Sequence, residues 1–582
     1  MKKDIYPIAG GLLLAALSSL RTDAAANTWN NGAGDSLWNL TSANWTSPAI
    51  WSDGADALFG ATGAGTVNLG EPISAASLTF AAPGYTITGG ISGNPLTLLG
   101  SAPGITANAN VDIATTLEGT SGLTIQGNSV VTLLGDTETG NHFTGGTFVK
   151  SGTLVLRVQK ATTAGVEYGV DSIEAIDAGA TVRLGTVNDG LDTATSNSRS
   201  ANGQITIGGS VTPHRLNLTG GTFDTNGDDN QNQVPQPSGT GTIINTSATS
   251  RGIIKFTGFG ETTTFSGNIK DGGTTITRAF SGPGYQMNVD SQSGSAGTLI
   301  LAGSNSFSGF LRIGNGGTIK LSGEGTLGYP APINCPARQI IQNNGTVDLN
   351  GTSQKTGFYN AGAGAFVVNS AAGTLSTLTL CFNCTNLTVP SQGGINCNLA
   401  DSPGRIGIVK EGIAIQPLNG AANTYSGDTV VNDGTLRIDQ AGAVSPNSDF
   451  RLSTVKGTLN LNYAGTAPVK RLFINGHELP NGTYGASTAP ISGTGFIQVT
   501  ASTAVTTPPT LGFTITPGGG GGGAGSLSFS WTGGFKLQYQ VDATGAGLTG
   551  NWTDYPGGNT GSVNVPVSKD NNGAYFRLTP LQ

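Results

Sequence analysis

Charge is scarce in this chain. Lys and Arg number 27 and Asp and Glu 34 across 582 residues. Hydrolases and lyases need carboxylate pairs, or a base with cationic partners, gathered on one face. So thin a supply makes such clusters hard to assemble. The net charge of −7 gives no field for nucleic acid and no electrostatic grip on anionic lipid. Histidine is nearly missing, with only His142, His214 and His477. His142 follows Asn141 inside a repeat and His477 follows the Asn475-Gly476 turn, so both are expected as exposed turn residues. No Lys follows a Gly, which excludes the usual P-loop, and there is no G-x-S-x-G elbow. Gly518-x-Gly520-x-x-Gly523 sits in a glycine run without a following helix, so it is composition and not a phosphate cradle. No cofactor is expected.

Long apolar runs are also missing beyond the N-terminus. There, Lys2 and Lys3 precede an apolar core from Ile8 to Leu20, and Ala24-Ala25-Ala26 offers a cleavage site before Asn27. Residues 1–26 therefore read as a secretory signal, too short to span a bilayer. Cysteine is sparse and clustered: Cys335, Cys381, Cys384 and Cys397. In an exported chain, one or two local disulfides are expected among them, with three pairings open. A zinc site is disfavoured, because only Cys381-x-x-Cys384 has ligand-like spacing. Thr385 after Cys384 excludes haem attachment.

What is abundant is glycine, 93 residues, within a short recurring phrase: Gly-Thr, an apolar residue, any residue, another apolar residue. It begins at Gly65, Gly152, Gly297, Gly317, Gly345, Gly434 and Gly457. Each copy is a turn residue followed by a period-two strand. Where copies are close, their spacing is that of one solenoid coil, each coil packing only on its neighbours. Three copies belong to a longer module. Asn141-His142-Phe143-Thr144-Gly145 precedes the Gly152 strand, Asn305-Ser306-Phe307-Ser308-Gly309 the Gly317 strand, and Asn423-Thr424-Tyr425-Ser426-Gly427 the Gly434 strand. A second strand intervenes each time. The aromatic and the alternate aliphatics would fill a narrow interior, and Asn would bond turn backbone or stack between coils.

This module resembles the autotransporter-associated β-strand repeat found in passenger regions of secreted bacterial proteins. Residues 457–500 are similar to the closing segment of such passengers, through Leu472-Phe473-Ile474-Asn475-Gly476, Asn481-Gly482-Thr483-Tyr484-Gly485 and Ile491-Ser492-Gly493-Thr494-Gly495. The resemblance implies an all-β chain, a right-handed parallel β-helix exposed outside a diderm cell, with no catalytic residues. It also implies a C-terminal membrane barrel, for which the sequence after residue 505 leaves no room.

The expected organisation is a signal at 1–26, a Trp-rich cap at 27–60 carrying Trp29, Trp38, Trp45 and Trp51, and a β-helix at 61–505. A Pro/Gly linker follows at 506–525, and a small β-sandwich-like module at 526–582. Asp224, Asn226 and Asp228 are spaced like the start of a calcium loop, but Asp229 stands where its glycine should be. A solvated turn is the favoured reading there. Asp401, Arg405, Lys410 and Glu411 form the best sparse charged set, equally readable as solvated turns. The expected function is a non-catalytic, adhesin-like surface rod. The alternative is a polysaccharide lyase, hydrolase or glycan-binding protein on the same scaffold. The partner is an unidentified surface, matrix or glycan, and self-association is left open.

Overall fold

The computed structural model describes residues 26–580 apart from 102, 135–140, 158–166, 171, 186–204, 208–214, 228–231, 248–251, 258–259, 273–275, 279–281, 285–286, 294–296, 315, 329–337, 382–392, 505–509, 518–524, 533, 543–547, 549 and 568–572. Among the described residues the secondary structure is almost entirely β, the exception being one short 3-10 turn at Ala441–Ala443.

Strands of two to seven residues follow one another around a parallel solenoid with three faces. The second face is a single sheet of 14 parallel strands, from Asn27–Trp29 to Phe366–Val368. Neighbouring strands lie ~4.8 Å apart, so this sheet alone is roughly 60 Å long. The first face begins as a four-stranded sheet from Ile73–Ala75 to His142–Phe143. An eight-stranded sheet from Glu167–Val170 to Phe358–Ala361 then takes its place. The third face is a ten-stranded sheet from Leu37–Trp38 to Asn268–Asp271, replaced by a seven-stranded one from Gln354–Thr356 to His477–Glu478. Within most strands, burial alternates. Thr153–Leu156, Thr298–Leu301 and Thr318–Leu321 all place their second and fourth residues inside. One continuous apolar core therefore runs along the column.

The Gly-Thr phrase is explained by register. Thr153, Thr181, Thr222 and Thr242 stand side by side on the third face. Thr262, Thr298, Thr318 and Thr346 do the same on the second face. Thr435 and Thr458 pair on the first. Glycine is needed at the corner before them. Gly434 has φ +63°, and a Cβ there would lie 2.2 Å from the Gly412 carbonyl oxygen.

Both ends of the column depart from the parallel pattern. The strand Asn27–Trp29 already pairs with Asp56–Phe59, so the stack begins inside the Trp-rich stretch. Trp45 bridges Trp29 in antiparallel fashion, and Trp29, Trp38, Trp45 and Trp51 are all buried against one another and Phe59. No aromatic platform for sugar is therefore exposed by these four. At the other end, His477–Glu478 and Gly482–Tyr484 fold back antiparallel onto Arg471–Ile474 and Phe496–Val499. Beyond the column, two three-stranded antiparallel sheets enclose a small separate core of Phe529, Trp531, Leu537 and Val565.

The disulfide expectation needs correcting at two positions. Cys381 and Cys397 are both free and buried. Cys381 ends the strand Leu375–Cys381 on the third face. Cys397 lies between Ile395, which bridges to the first face, and Leu399, which bridges to the second. The two are placed on different sides of the coil: Cys397 fills core volume as a small apolar residue, whereas Cys381 lies outside that core, near Lys355 and Glu411. Burial pushes the Cys397 thiol up to about 12. Cys335 and Cys384 lie outside the described residues.

Candidate functional site

The module's most distinctive residues are consumed by the fold. Asn141, Asn305 and Asn423 are all buried. Each accepts a hydrogen bond from a backbone N–H one coil earlier: Leu117 at 3.0 Å, Ile269 at 2.9 Å and Leu399 at 2.8 Å. Asn305 and Asn423 also donate one coil later, to the Thr326 and Ala443 carbonyls at 3.0 and 2.8 Å. These asparagines staple successive coils from inside. Phe143, Phe307 and Tyr425 are fully interior beside them. The Tyr425 hydroxyl joins a buried chain through Thr429 and Ser448 to the Gly427 carbonyl, and burial holds its pKa far above the usual phenol value.

The three modules also face different ways. The first runs from the first face, at His142–Phe143, to the third, at Thr153–Leu156. The second starts on the third face, where Ser306 bridges Lys270, and ends on the second with Thr318–Leu321. The last starts on the second face, where Tyr425 N–H bonds the Leu399 carbonyl, and ends on the first with Gly434–Ile438. Each copy is turned by one face from the previous one. No single surface presents the motif repeatedly.

The calcium candidates are occupied by protein groups. Asp224 is buried, and Arg183 Nε and the Thr246 hydroxyl both donate to its Oδ2, at 2.9 and 2.6 Å. The Asn226 and Thr246 amides fill its Oδ1. Asn226 sits at φ +48° and donates to the Leu184 carbonyl. This is a capped turn with its acceptor capacity spent. Asp228 lies outside the described residues. Among the described residues, no group of three or more His, Cys, Asp or Glu is placed to hold a metal. His477 is exposed, and His214 lies outside the described residues.

The sparse charged set lies on the third face and does not converge. Asp401 Oδ1 accepts the Ile406 and Ser426 amides, Arg405 donates to Ser426, and Glu411 pairs with Lys355 at 2.8 Å. Lys410 departs from the solvated-turn reading. It is fully buried, and its Nζ donates to the Glu411, Gly412 and Asp433 carbonyls at 2.6, 2.5 and 3.1 Å. The ammonium closes a corner between coils, and burial lowers its pKa to about 8. Further along this face Asp428, Arg451, Asp449 and Arg471 alternate in charge across the strands. Arg451 and Arg471 both stack on Phe473, at 4.1 and 5.3 Å from its centroid. These groups satisfy one another, which leaves little for a ligand.

A more open constellation lies on the outer face of the last sheet, where sequence reasoning placed nothing. Gln538 stands opposite both Asp554 and Arg577. Lys536 and Gln538 donate to Asp554, each at 2.7 Å, and these bonds hold its carboxyl below the usual range. Arg577 Nε donates to Gln538 at 2.8 Å, and its guanidinium lies 4.4 Å from the Trp552 ring centroid. Arg577, Asp554 and Tyr575 are exposed. The available signal was the polar alternation Lys536, Gln538, Gln540 between apolar positions.

Comparison with known proteins agrees with the geometry of the column. Residues 123–156, 294–321 and 408–438 match the passenger-associated-transport repeat. These three segments of the solenoid are similar to autotransporter passenger-type repeats. The three matched segments contain the three phrase strands whose modules face different ways. The adhesin BmaC autotransporter of Brucella suis biovar 1 (strain 1330) is 34% identical over 171 residues, 26% of this chain. The aligned stretch spans 5% of that relative's length. No solved structure matches the chain.

Proposed function

We propose that this chain is an exported, adhesin-like passenger: a surface rod that makes contacts outside the cell and performs no catalysis. The observation that carries the reading is the use of the repeat residues. The asparagines and aromatics that recur in the module are buried as staples and core and form no repeated binding array. The copies also turn away from one another, so repetition builds length and does not multiply a site. A partial likeness to a protein named as an autotransporter adhesin supports the same view. The basic, apolar and small-residue succession at 1–26 fits export, and the passenger resemblance fits the outer surface of a diderm cell. Lyase or hydrolase chemistry finds no support in the charged set, because Asp401, Lys410 and Glu411 each serve a local contact.

The test is a pair of screens on purified residues 27–582. A glycan and matrix array should register binding, while a polysaccharide-degradation screen should stay silent. Release of reducing ends or unsaturated products would overturn the non-catalytic reading. Silence in both screens would overturn the adhesin reading.

A further inference from the structure

The outer face of the C-terminal module differs from the rest of the chain. Elsewhere Arg183 and Arg451 are spent on carboxylates and Arg405 on the Ser426 hydroxyl and carbonyl. Arg577 is not. Its Nε is tied to Gln538 and its plane rests on Trp552, while its two terminal nitrogens have no partner among the described residues. Two fixed contacts thus hold a guanidinium with its fork turned outward. That is the arrangement which binds a carboxylate through two parallel hydrogen bonds.

The surroundings narrow the ligand. Lys536 is paired with Asp554, and Asp542, farther along the same strand, is buried, so the Arg577 guanidinium is the exposed charge of this patch with no carboxylate bonded to it among the described residues. The complement is an anion. Asp554, Gln538 and Lys536 are linked in one exposed network, with fixed acceptors and donors suited to hydroxyl groups. Tyr575, two residues from Arg577 on the same strand face, is exposed and lies ~7 Å along the strand. Its ring offers an apolar surface beside the charged fork. A carboxylate, several hydroxyls and an apolar ring face together describe an acidic sugar.

We propose that this sheet face binds a uronate-containing polysaccharide, with Arg577 gripping the carboxylate and Tyr575 packing on the sugar ring. Gln538 and Trp552 are positioning residues that act through Arg577. The proposal goes beyond the adhesin reading by naming a surface and a ligand class.

The experiment is affinity electrophoresis and calorimetry of residues 27–582 with polygalacturonate, with neutral dextran and with inorganic polyphosphate. Polygalacturonate should bind and dextran should not. Arg577→Gln should weaken binding about tenfold to a hundredfold, the size of a lost charge-assisted pair. Arg577→Lys, which keeps the charge without the fork, should recover only part of it. Tyr575→Ser should weaken binding while leaving its salt dependence unchanged. Near-UV circular dichroism checks that each variant keeps its fold. No binding of polygalacturonate, equal binding of dextran, preference for polyphosphate, or an Arg577→Gln protein that binds normally would each overturn the proposal. An array signal that persists in Arg577→Gln would sink this site and leave the adhesin reading standing.

Discussion

Replacing Asn423 by Ala removes one interior staple and nothing on the surface. The buried side chain accepts from the Leu399 amide and donates to the Ala443 carbonyl, both at 2.8 Å. The substitution strands both groups in a site without room for bulk solvent. Each orphaned buried group costs ~1–3 kcal/mol, so the pair costs ~2–6 kcal/mol. In a solenoid that cost falls on the two adjoining coil interfaces, not on the whole column. Hydrogen exchange read by mass spectrometry localises it. At the low end of the range, amides around Leu399 and Ala443 should exchange ~30-fold faster. Those of the coils near Leu123 should be unaffected. Asn423→Asp keeps the acceptor for Leu399 but sets a buried carboxylate oxygen against the Ala443 carbonyl, so at neutral pH its effect should be at least as large and centred on the later interface. Unchanged protection around Leu399 in Asn423→Ala would refute the staple.

Other outcomes follow from the same structure. Lys410 has a folded pKa of about 8 against an ordinary 10.5, so between these values the unfolded chain holds the extra proton. Its contribution to stability should therefore rise by about 3 kcal/mol as pH goes from below 8 to above 10.5. Denaturation of the parent minus Lys410→Met between pH 7 and 9.5 should show the start of that slope, and a flat difference would contradict it. Trp38→Ala should cost about 3–5 kcal/mol and loosen the cover over the first strand edge. Light scattering should then report aggregation, whereas a soluble protein with an unaltered melt would contradict the capping role. Gly434→Ala meets both a positive φ and a carbonyl oxygen 2.2 Å from the new Cβ, so it should lower the melting temperature of the adjoining coils. Calcium or a chelator should leave the melt unchanged, because the Asp224 carboxylate is already fully bonded within the protein.

Many strands were legible because their burial period is two and because glycine and threonine mark the corners before seven of them. Leu154, Ile319 and Leu459 are interior, as the phrase implied. Which face each strand joins was not legible. It depends on how many residues each turn takes, so modules alike in sequence come to lie on different sides of the column. Burial of charge was also hidden. Lys410 and Glu411 are adjacent, yet one closes an interior corner and the other stays partly exposed with Lys355. The cysteines misled in the same way, since clustering in sequence placed Cys381 and Cys397 on separate sides of the coil. The outer face of the last sheet was invisible because Gln538, Asp554 and Arg577 meet only through antiparallel register across three strands.

The central claim is that the chain makes surface contacts without chemistry. The direct measurement is retention under flow of microspheres coated with residues 27–582 on matrix- and polysaccharide-coated surfaces, with the eluate assayed for released sugar. The account predicts retention above that of spheres carrying the heat-unfolded chain, and no released sugar. Spheres that wash away equally in both cases, or an eluate that accumulates sugar fragments, would contradict it.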